Sequence, residues 1–236
     1  MNFMVRSEQQ EIMDDPNLDL VALKEVFMDI NKVNRVLNGH AITIRAIEKT
    51  LDENPQKSYT IVDLGCGNRD MLKKIALYFR NRAISLKLVG VDLNGNAINI
   101  AMENCKHFSN ISFLQKDILS LDVLVPQCDI LLCTLTMHHF GKEEIQEFLH
   151  RIVRLPRIGI IINDLQRSMV SYYLFKIFSV IFIKTHIARH DGLVSIKRAF
   201  IKSELKEYSK AFPLITHQIK WKWAFRYLWS MQIKRE

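Results

Sequence analysis

Residues 61–68, IVDLGCGN, limit the choice of fold more strongly than any other stretch of the chain. The apolar pattern at 59–64 predicts a buried β-strand that ends in a glycine-containing turn. Apolar residues then recur at helical spacing, which predicts an amphipathic helix carrying Met71, Leu72, Ile75, Ala76 and Phe79 on one face. A strand, a glycine loop and a helix in this order predict a nucleotide-type site at the carboxyl end of a parallel sheet.

The charges around this loop indicate which ligand it suits. Asp63 stands two residues before Gly65, and Asp70 follows the second glycine, Gly67. A dinucleotide fingerprint needs a small residue at position 70, and a carboxylate at the helix N-terminus would repel a pyrophosphate. The acids instead suit a ligand with positive charge near the turn, as S-adenosylmethionine has at its ammonium and sulfonium groups. The two glycines allow the backbone to approach that ligand closely.

Three more predicted strands follow, at residues 87–93, 111–115 and 128–133. Asp92 lies at the end of the first, where a carboxylate can accept hydrogen bonds from both ribose hydroxyls. Asp117 follows the second and is placed to accept a hydrogen bond from an adenine amino group, with Ile118 against the ring. The third runs into residues 134–140, TLTMHHF.

These four segments, in this order, resemble the class I S-adenosylmethionine-dependent methyltransferases across residues 58–165. The resemblance implies an α/β fold with a doubly wound, mostly parallel sheet of seven strands, preceded by helices and carrying a helical lid after strand five. It also implies S-adenosylmethionine as the cofactor. The cofactor-binding residues that it implies are Asp63, Gly65, Cys66, Gly67, Asp92, Leu93, Asp117, Ile118 and Thr134.

Residues 1–57 predict a helical segment that packs on this core. Apolar spacing indicates helices at 20–37 and 40–51, and Asp19 is a suitable N-cap for the first. Two interpretations of the polar residues in this segment stay open. The residues either approach the site or lie on exposed helix faces. The residues concerned are Asn34, Arg35 and His40.

Residues 58–236 are expected to form the methyltransferase domain, with the lid insertion at about 166–200. Residues 170–183 are apolar nearly all round, which predicts a helix that covers the site or packs against the N-terminal helices. This stretch is too short to span a bilayer. A polar turn is predicted at 190–192, and a closing antiparallel hairpin is predicted from residues 215–221 and 224–229.

Three histidines are candidates for the base that methyl transfer to a phenol needs, because a phenol has a pKa of about 10 and histidine titrates near neutrality. His138 and His139 follow strand four, where residues between cofactor and acceptor are expected. His190 lies beside Asp191. Either Asp164 or Asp191 is expected to orient the base.

Residues 163–168, NDLQRS, and 189–192, RHDG, resemble a group of bacterial methyltransferases of polyketide and quinone pathways. This resemblance implies a small apolar acceptor, such as a phenol, a quinol or a polyketide-type compound, methylated on oxygen. The substrate-side candidates are Asp164, Arg167 and Tyr173. Two nearby carboxylates alone do not indicate a metal site, so no metal is predicted.

The formal net charge of +8 leaves a second function open, the methylation of RNA or protein. The basic residues are scattered along the chain, which makes nucleic acid the less favoured partner and leaves contact with an anionic membrane surface open. Residues 134–137, TLTM, also differ from the Asn/Asp-Pro-Pro-Tyr/Phe motif of amino-group methyltransferases. A cofactor-binding module without turnover is a third interpretation.

The four cysteines include no C-x-x-C pair, and the N-terminus has no apolar signal region. Both features predict reduced thiols and a cytoplasmic location. The sequence does not indicate an oligomeric state.

Overall fold

The computed structural model describes residues 3–15, 17–68, 70–120 and 127–233. Its strands are β1 (Ser58–Leu64), β2 (Ser85–Asp92), β3 (Ile111–Gln115), β4 (Cys128–Thr134), β5 (Pro156–Leu165), β6 (Thr216–Lys222) and β7 (Arg226–Gln232). Its helices are α1 (Leu20–Val36), α2 (Gly39–Glu53), α3 (Asp70–Phe79), α4 (Gly95–Cys105), α5 (Lys142–Ile152), α6 (Met169–Phe182), α7 (His186–Arg198) and α8 (Lys202–Ser209). Short 3₁₀ helices lie at Ile12–Asp14 and Met137–His139.

The described strands form one seven-stranded sheet in the order β3-β2-β1-β4-β5-β7-β6. Strands β1 to β5 pair in parallel, whereas β7 pairs antiparallel with both β5 and β6. The order reverses between β1 and β4, and in open α/β sheets ligands bind at the carboxyl end of such a switch point. The predicted fold class, a doubly wound seven-stranded sheet with a closing hairpin, is confirmed.

The central strands are buried on both faces, which explains why they read as nearly continuous apolar runs. Ile61 of β1 packs with residues of α2 and α3, whereas Val62 and Leu64 pack with residues of α5 and α8 on the other face. The same alternation holds in β4, where Ile130 and Leu131 belong to opposite core clusters. The sheet is therefore covered on both sides, and its carboxyl edge carries the exposed loops.

The N-terminal helices follow the sequence prediction closely. Asp19 caps α1 by accepting hydrogen bonds from the amides of Val21 and Ala22, which confirms it as the N-cap. Asn38, at the break between the helices, adopts the left-handed conformation with φ of 53°. Helix α2 then packs against β5 and β7. No helix within the described ranges combines the length and apolar composition needed to cross a membrane.

Helices α6 and α7 cover the carboxyl edge and pack against each other and α1. The predicted helix at 170–183 is present as α6, but the predicted turn at 190–192 is wrong, since these residues lie inside α7. A Cβ on Gly192 would collide with the ring of Phe175 in α6. This glycine therefore allows close packing of two helices and does not mark a turn.

Candidate active site

The glycine loop after β1 adopts backbone conformations that favour glycine. Gly65 has φ of 69° and Gly67 has φ of 51°, both in the left-handed region. A Cβ on Gly65 would collide with the side chain of Thr136, whose hydroxyl donates to the Gly65 carbonyl at 3.3 Å. Position 65 therefore requires glycine, and the contact joins the segment after β1 to the segment after β4.

Asp92, at the end of β2, lies beside this loop. Its carboxylate accepts hydrogen bonds from the amide of Gly67 at 2.7 Å and from the amide of Asn94 at 2.9 Å. Burial raises the pKa of Asp92 even though these two bonds favour the ionised form. A carboxylate has about four acceptor positions, so Asp92 retains the capacity to accept hydrogen bonds from a ligand.

Asp63, in β1, is a buried acid that is not fully satisfied. Its side chain is 2% exposed, and within the described part of the chain no group donates to Oδ1. Burial, with the nearby charge of Asp92, raises the pKa of Asp63 to about 7. Because an unpaired buried charge is unfavourable, the arrangement favours a cationic group placed next to this oxygen.

The third acid, Asp117, lies in the turn after β3. Its Oδ1 accepts from the Leu119 amide at 2.8 Å and its Oδ2 accepts from the Ser120 hydroxyl at 2.9 Å. The neighbouring Ile118 is buried, whereas Leu93, after β2, is exposed. The hydrogen bonds fix the Asp117 carboxylate in place, and each oxygen keeps acceptor capacity for a ligand.

All the predicted cofactor residues line one cavity of about 2200 Å³ at the carboxyl edge of the sheet. They are Asp63, Gly65, Cys66, Gly67, Asp92, Leu93, Asp117, Ile118 and Thr134. The cavity continues to an apolar wall formed by α6 and the residue after it, with Leu174, Phe175, Ile177, Phe178 and Ile183 lining it. One space therefore joins the acidic nucleotide-type end to an apolar end.

His138 lies in the 3₁₀ turn after β4 and is held between two carboxylates. Its Nδ1 lies 2.6 Å from Asp164 Oδ1, and its Nε2 lies 3.5 Å from Glu11 Oε1. Burial alone would lower the pKa of His138, but the two acids outweigh burial and raise it to about 9. The raised pKa and the two carboxylate partners favour a positioning role for His138 over that of the base, and its catalytic role stays a prediction.

Glu11 was not foreseen from the sequence. It belongs to residues 3–15, here called the N-terminal strap, which lie along the cavity. Burial would raise the pKa of Glu11, but the hydrogen bond to His138 and the charges of both histidines lower it to about 2. Ser195 donates to Glu11 Oε1 at 2.6 Å. The carboxylate thus joins the strap to the β4 turn and to α7.

Further hydrogen bonds fix the strap at both sides of Glu11. Asp191 accepts from the amides of Ile12 and Met13, at 2.9 Å each. Arg198 donates to the carbonyls of Gln9 and His138 at 2.8 and 3.0 Å. Such contacts join residues that are far apart in the chain, so no local sequence pattern predicts them.

His139 lines the cavity and keeps partial exposure, 23% of its side chain. Its Nδ1 lies 2.9 Å from Asp14 Oδ2, and its Nε2 lies 3.9 Å from Glu11 Oε2. If Nδ1–H donates to Asp14, Nε2 carries the free lone pair. Of the three predicted histidines, His139 combines access to the cavity with a carboxylate that fixes its orientation.

His190 lies outside the cavity lining. Its Nδ1 lies 2.8 Å from Asp191 Oδ1, and its Nε2 lies 3.1 Å from the Gln9 side chain. The proposed catalytic role of His190 is therefore not supported by its position, and Asp191 holds the strap while it contacts this ring.

The three predicted substrate residues do not line the cavity. Asp164 is buried and orients His138. Arg167 is buried against the strap and α8, donating to the Phe3 carbonyl at 2.9 Å and pairing with Glu204 at 2.6 Å. Tyr173 is half exposed on the outer side of α6. These positions do not favour direct substrate contact, which stays a prediction for all three residues, because proximity in sequence to a strand end or lid did not aim the side chain into the cavity.

Glu11, His138 and His139 bring possible metal-ligand atoms within 4.8 Å of one another. Each imidazole already has a carboxylate at Nδ1, an arrangement that also supports metal-binding histidines. A metal ion would have to displace the proton of His138, because ligating histidines are neutral, and the raised pKa opposes this. The cluster is satisfied by its own hydrogen bonds, and no metal is assigned.

The wall formed by the N-terminal helices contributes polar side chains as well. Asn34 and His40 line the cavity, whereas Arg35 is exposed outside it. His40 Nε2 lies 3.1 Å from Asp70, and burial, aided by Lys74 and Arg226, lowers the pKa of His40 to about 3. His40 is thus neutral at pH 7, and its buried Nδ1 has no partner among the described residues.

Comparison with known proteins finds a family match over part of the chain. Residues 61–159 match the family model described as a methyltransferase domain. No curated protein matches the sequence at a significant level.

Three solved structures have similar folds. The plantazolicin methyltransferase BpumL, with S-adenosylhomocysteine, has a TM-score of 0.67 at 14% identity, covering 91% of this chain and 95% of its own. Magnesium protoporphyrin IX methyltransferase from Synechocystis PCC 6803, also with S-adenosylhomocysteine, has a TM-score of 0.59 at 14% identity. The match covers 86% of this chain and 87% of the other. An S-adenosylmethionine-dependent methyltransferase from Aquifex aeolicus has a TM-score of 0.62 at 14% identity, and the match covers 92% of this chain and 100% of the other.

The domain match covers residues 61–159, and the sheet order and the acids around the glycine loop agree with the resemblance to the class I S-adenosylmethionine-dependent methyltransferases. The resemblance inferred from the sequence, and the enzyme class with it, is confirmed.

Proposed function

We propose that the chain transfers the methyl group of S-adenosylmethionine to an oxygen of a small apolar acceptor, such as a phenol, a quinol or a polyketide-type compound. The observation that carries this proposal is the continuity of the cavity from the acids at the glycine loop to the apolar wall of α6. An apolar acceptor gains binding free energy from contact with that wall, at roughly 25 cal/mol per Å² of apolar surface removed from water.

The cofactor is assigned to the acidic end. Asp92 accepts hydrogen bonds from the ribose, while Asp63 pairs with the cationic methionine end above Gly65 and Gly67. Asp117 accepts from the adenine amino group, and hydrophobic contact comes from Ile118. The unpartnered Oδ1 of Asp63 supports this orientation, because a cationic group of the cofactor supplies the missing partner.

Methyl transfer from a sulfonium is an in-line displacement, in which the acceptor oxygen bonds to the methyl carbon as the carbon–sulfur bond breaks. The protein must align the two molecules and exclude water. The strap and α6 both line the cavity and supply that enclosure. A phenol must also lose its proton, for which a base is needed at neutral pH.

We assign the base to His139. Its Nδ1 is oriented by Asp14, and its ring lines the cavity near the segment after β4. His138 acts beside it as a positioning residue that ties the β4 turn to Glu11 and Asp164. The proton taken from the acceptor would reside on Nε2 of His139 and pass to solvent after product release.

Two of the similar structures are methyltransferases named for plantazolicin and for magnesium protoporphyrin IX, and neither name refers to RNA. Methylation of RNA or protein is the second candidate, and the net charge of +8 is the observation that favours it. We also propose a cytoplasmic location, since Cys66, Cys105, Cys128 and Cys133 are buried and form no disulfide within the described residues.

A panel of matched acceptors tests the proposal. Phenols and hydroquinones with alkyl chains of increasing length are compared with the corresponding anilines, using S-adenosylmethionine and mass detection of the products. We expect methyl ethers as products and a KM that falls as the chain lengthens. Methylation of the anilines but not the phenols would contradict transfer to oxygen, and a KM independent of chain length would contradict the apolar wall.

A further inference from the structure

We propose that Arg226 binds a carboxylate group of a ligand inside the cavity. This inference rests on the proposed function and specifies a charged contact that the predicted cofactor residues do not include. Arg226 is the first residue of β7 and lines the cavity.

Arg226 is a buried cation with too few partners. It is 3% exposed, and its Nη2 donates to Asn34 Oδ1 at 2.8 Å. Within the described ranges, no group accepts a hydrogen bond from its Nε or Nη1. Burial lowers the pKa of Arg226 to about 10, so the guanidinium remains charged at pH 7. A charge buried in this way is strongly unfavourable without a counterion.

The nearby acid does not fill this role. Asp164 influences Arg226 electrostatically, but its carboxylate is occupied by hydrogen bonds from the ring and amide of His138 and from the amide of Leu165. His40, which also lies near Arg226, is neutral at pH 7 because its pKa is lowered. The compensating charge must therefore come from a bound molecule.

The surroundings hold the guanidinium in place. Arg226 pairs across the sheet with Leu165 at the carboxyl end of β5. At Gly39, a Cβ would lie 2.8 Å from Arg226 Nη2, so the start of α2 closes tightly on the side chain. Asn34 fixes one nitrogen from α1. Three elements thus form a built site, with two donor nitrogens left for a ligand.

The charge pattern indicates what kind of anion fits. Arg226 and Asp63 line the same cavity, both buried, one basic and one acidic, and each has a polar atom without a partner among the described residues. A single guanidinium balances a monovalent carboxylate and not a phosphate dianion. Two ligands in the proposed reaction can supply that carboxylate: the methionine part of the cofactor, whose ammonium then faces Asp63, or an acid group on the acceptor.

Calorimetry with Arg226→Met distinguishes these sources. The probes are S-adenosylhomocysteine, which carries the carboxylate, and 5′-methylthioadenosine, which lacks the amino acid portion. If the carboxylate belongs to the cofactor, we expect the Kd for S-adenosylhomocysteine to rise by about 10- to 100-fold, as for a lost hydrogen bond to a charged group. The Kd for 5′-methylthioadenosine should stay unchanged.

If the carboxylate belongs to the acceptor, both nucleosides bind the variant normally. Benzoate binding to the protein saturated with S-adenosylhomocysteine is then lost in Arg226→Met but kept in wild type. Arg35→Met is the matched control, because it removes the same charge from an exposed position one residue from Asn34. Unchanged binding of S-adenosylhomocysteine and of benzoate in Arg226→Met would overturn the proposal.

Asn34→Asp provides a second test that does not depend on the folding of Arg226→Met. An aspartate there gives Arg226 an internal counterion, so the ligand-free protein should melt at a higher temperature while the same carboxylate probe binds more weakly. No gain in melting temperature and unchanged probe binding would also refute the inference. Failure of the wild type itself to bind S-adenosylhomocysteine would instead count against the proposed function.

Discussion

Asp63 shows how one residue couples ligand binding to stability. Its pKa in the folded protein is raised to about 7, above the usual value of 3.8. Folding therefore favours the protonated carboxyl, and the free energy of unfolding should fall as pH rises from about 4 to about 7. A cationic ligand placed at Oδ1 would reverse this penalty, since it favours the ionised form.

Asp63→Asn tests this coupling. The variant removes the charge but keeps the shape, so the ligand-free protein should be more stable than wild type at pH 8 and nearly equal at pH 4. Urea unfolding at both pH values measures the difference. Affinity for S-adenosylhomocysteine should fall in the same variant. A stability difference that does not change between pH 4 and pH 8 would show that folding does not raise the pKa of Asp63.

The three histidines make a second prediction at the level of residues. His139→Ala should lower turnover by roughly 100-fold or more, since general-base catalysis contributes about that much, and should leave cofactor affinity unchanged. His190→Ala, outside the cavity lining, serves as the control and should turn over normally. Normal turnover of His139→Ala with a phenolic acceptor would remove the base from the mechanism.

His138→Ala should act differently, by lowering the free energy of unfolding of the protein. It leaves Glu11 and Asp164 as buried carboxylates without their shared partner, and breaking a buried pair in this way costs about 3–5 kcal/mol. Thermal unfolding should show the loss. A variant with wild-type stability but low turnover would mean that His138 takes part in the chemistry directly.

At the level of elements, the strap is held by charges that titrate. The pKa of His138 is raised from 6.5 to about 9, so its contribution is complete below pH 6.5 and disappears as pH rises through 9. The pKa of Glu11 is lowered from 4.5 to about 2, so its contribution is complete above pH 4.5 and disappears as pH falls toward 2. Attachment of the strap should be strongest between about pH 4.5 and 6.5.

Hydrogen exchange of residues 7–15 measures this attachment. At pH 6, Glu11→Gln should reduce amide protection of the strap relative to wild type, because His138 loses one of its two carboxylates. At pH 10 the two proteins should exchange alike, since His138 is then neutral. Glu8→Gln, an exposed acid of the same strap, is the control. Equal protection of Glu11→Gln and wild type at pH 6 would contradict the electrostatic attachment.

At the level of the whole molecule, local pattern predicted most of the fold. Strands such as β1 and β4 are buried on both faces, so their apolar runs are evident in the sequence. Asp63 near the end of β1, Asp92 at the end of β2 and Asp117 after β3 mark the cavity by position alone. Gly192 misled the prediction, because its small size serves the packing of Phe175 and not a turn.

The rest of the cavity could not be predicted in the same way, because residues from both ends of the chain line it. Glu11 and Arg226 lie in unremarkable local sequence, and only the folded sheet brings them to the cavity. Arg167 was predicted to contact substrate because it follows a strand end. Its guanidinium instead donates to the Phe3 carbonyl and pairs with Glu204. Such roles depend on tertiary contacts that spacing does not reveal.

The proposed function is methyl transfer from a cofactor bound at Asp92 to a small acceptor. The most direct measurement supplies methyl-labelled S-adenosylmethionine to the protein together with a long-chain hydroquinone and total RNA, and counts label in each. We expect label in the hydroquinone and little in RNA or protein. With Asp92→Ala, at cofactor concentrations below the wild-type Kd, we expect about 30-fold less label, because that variant should bind the cofactor about 2 kcal/mol more weakly. Label found chiefly in RNA or protein, or full transfer by Asp92→Ala, would contradict the account.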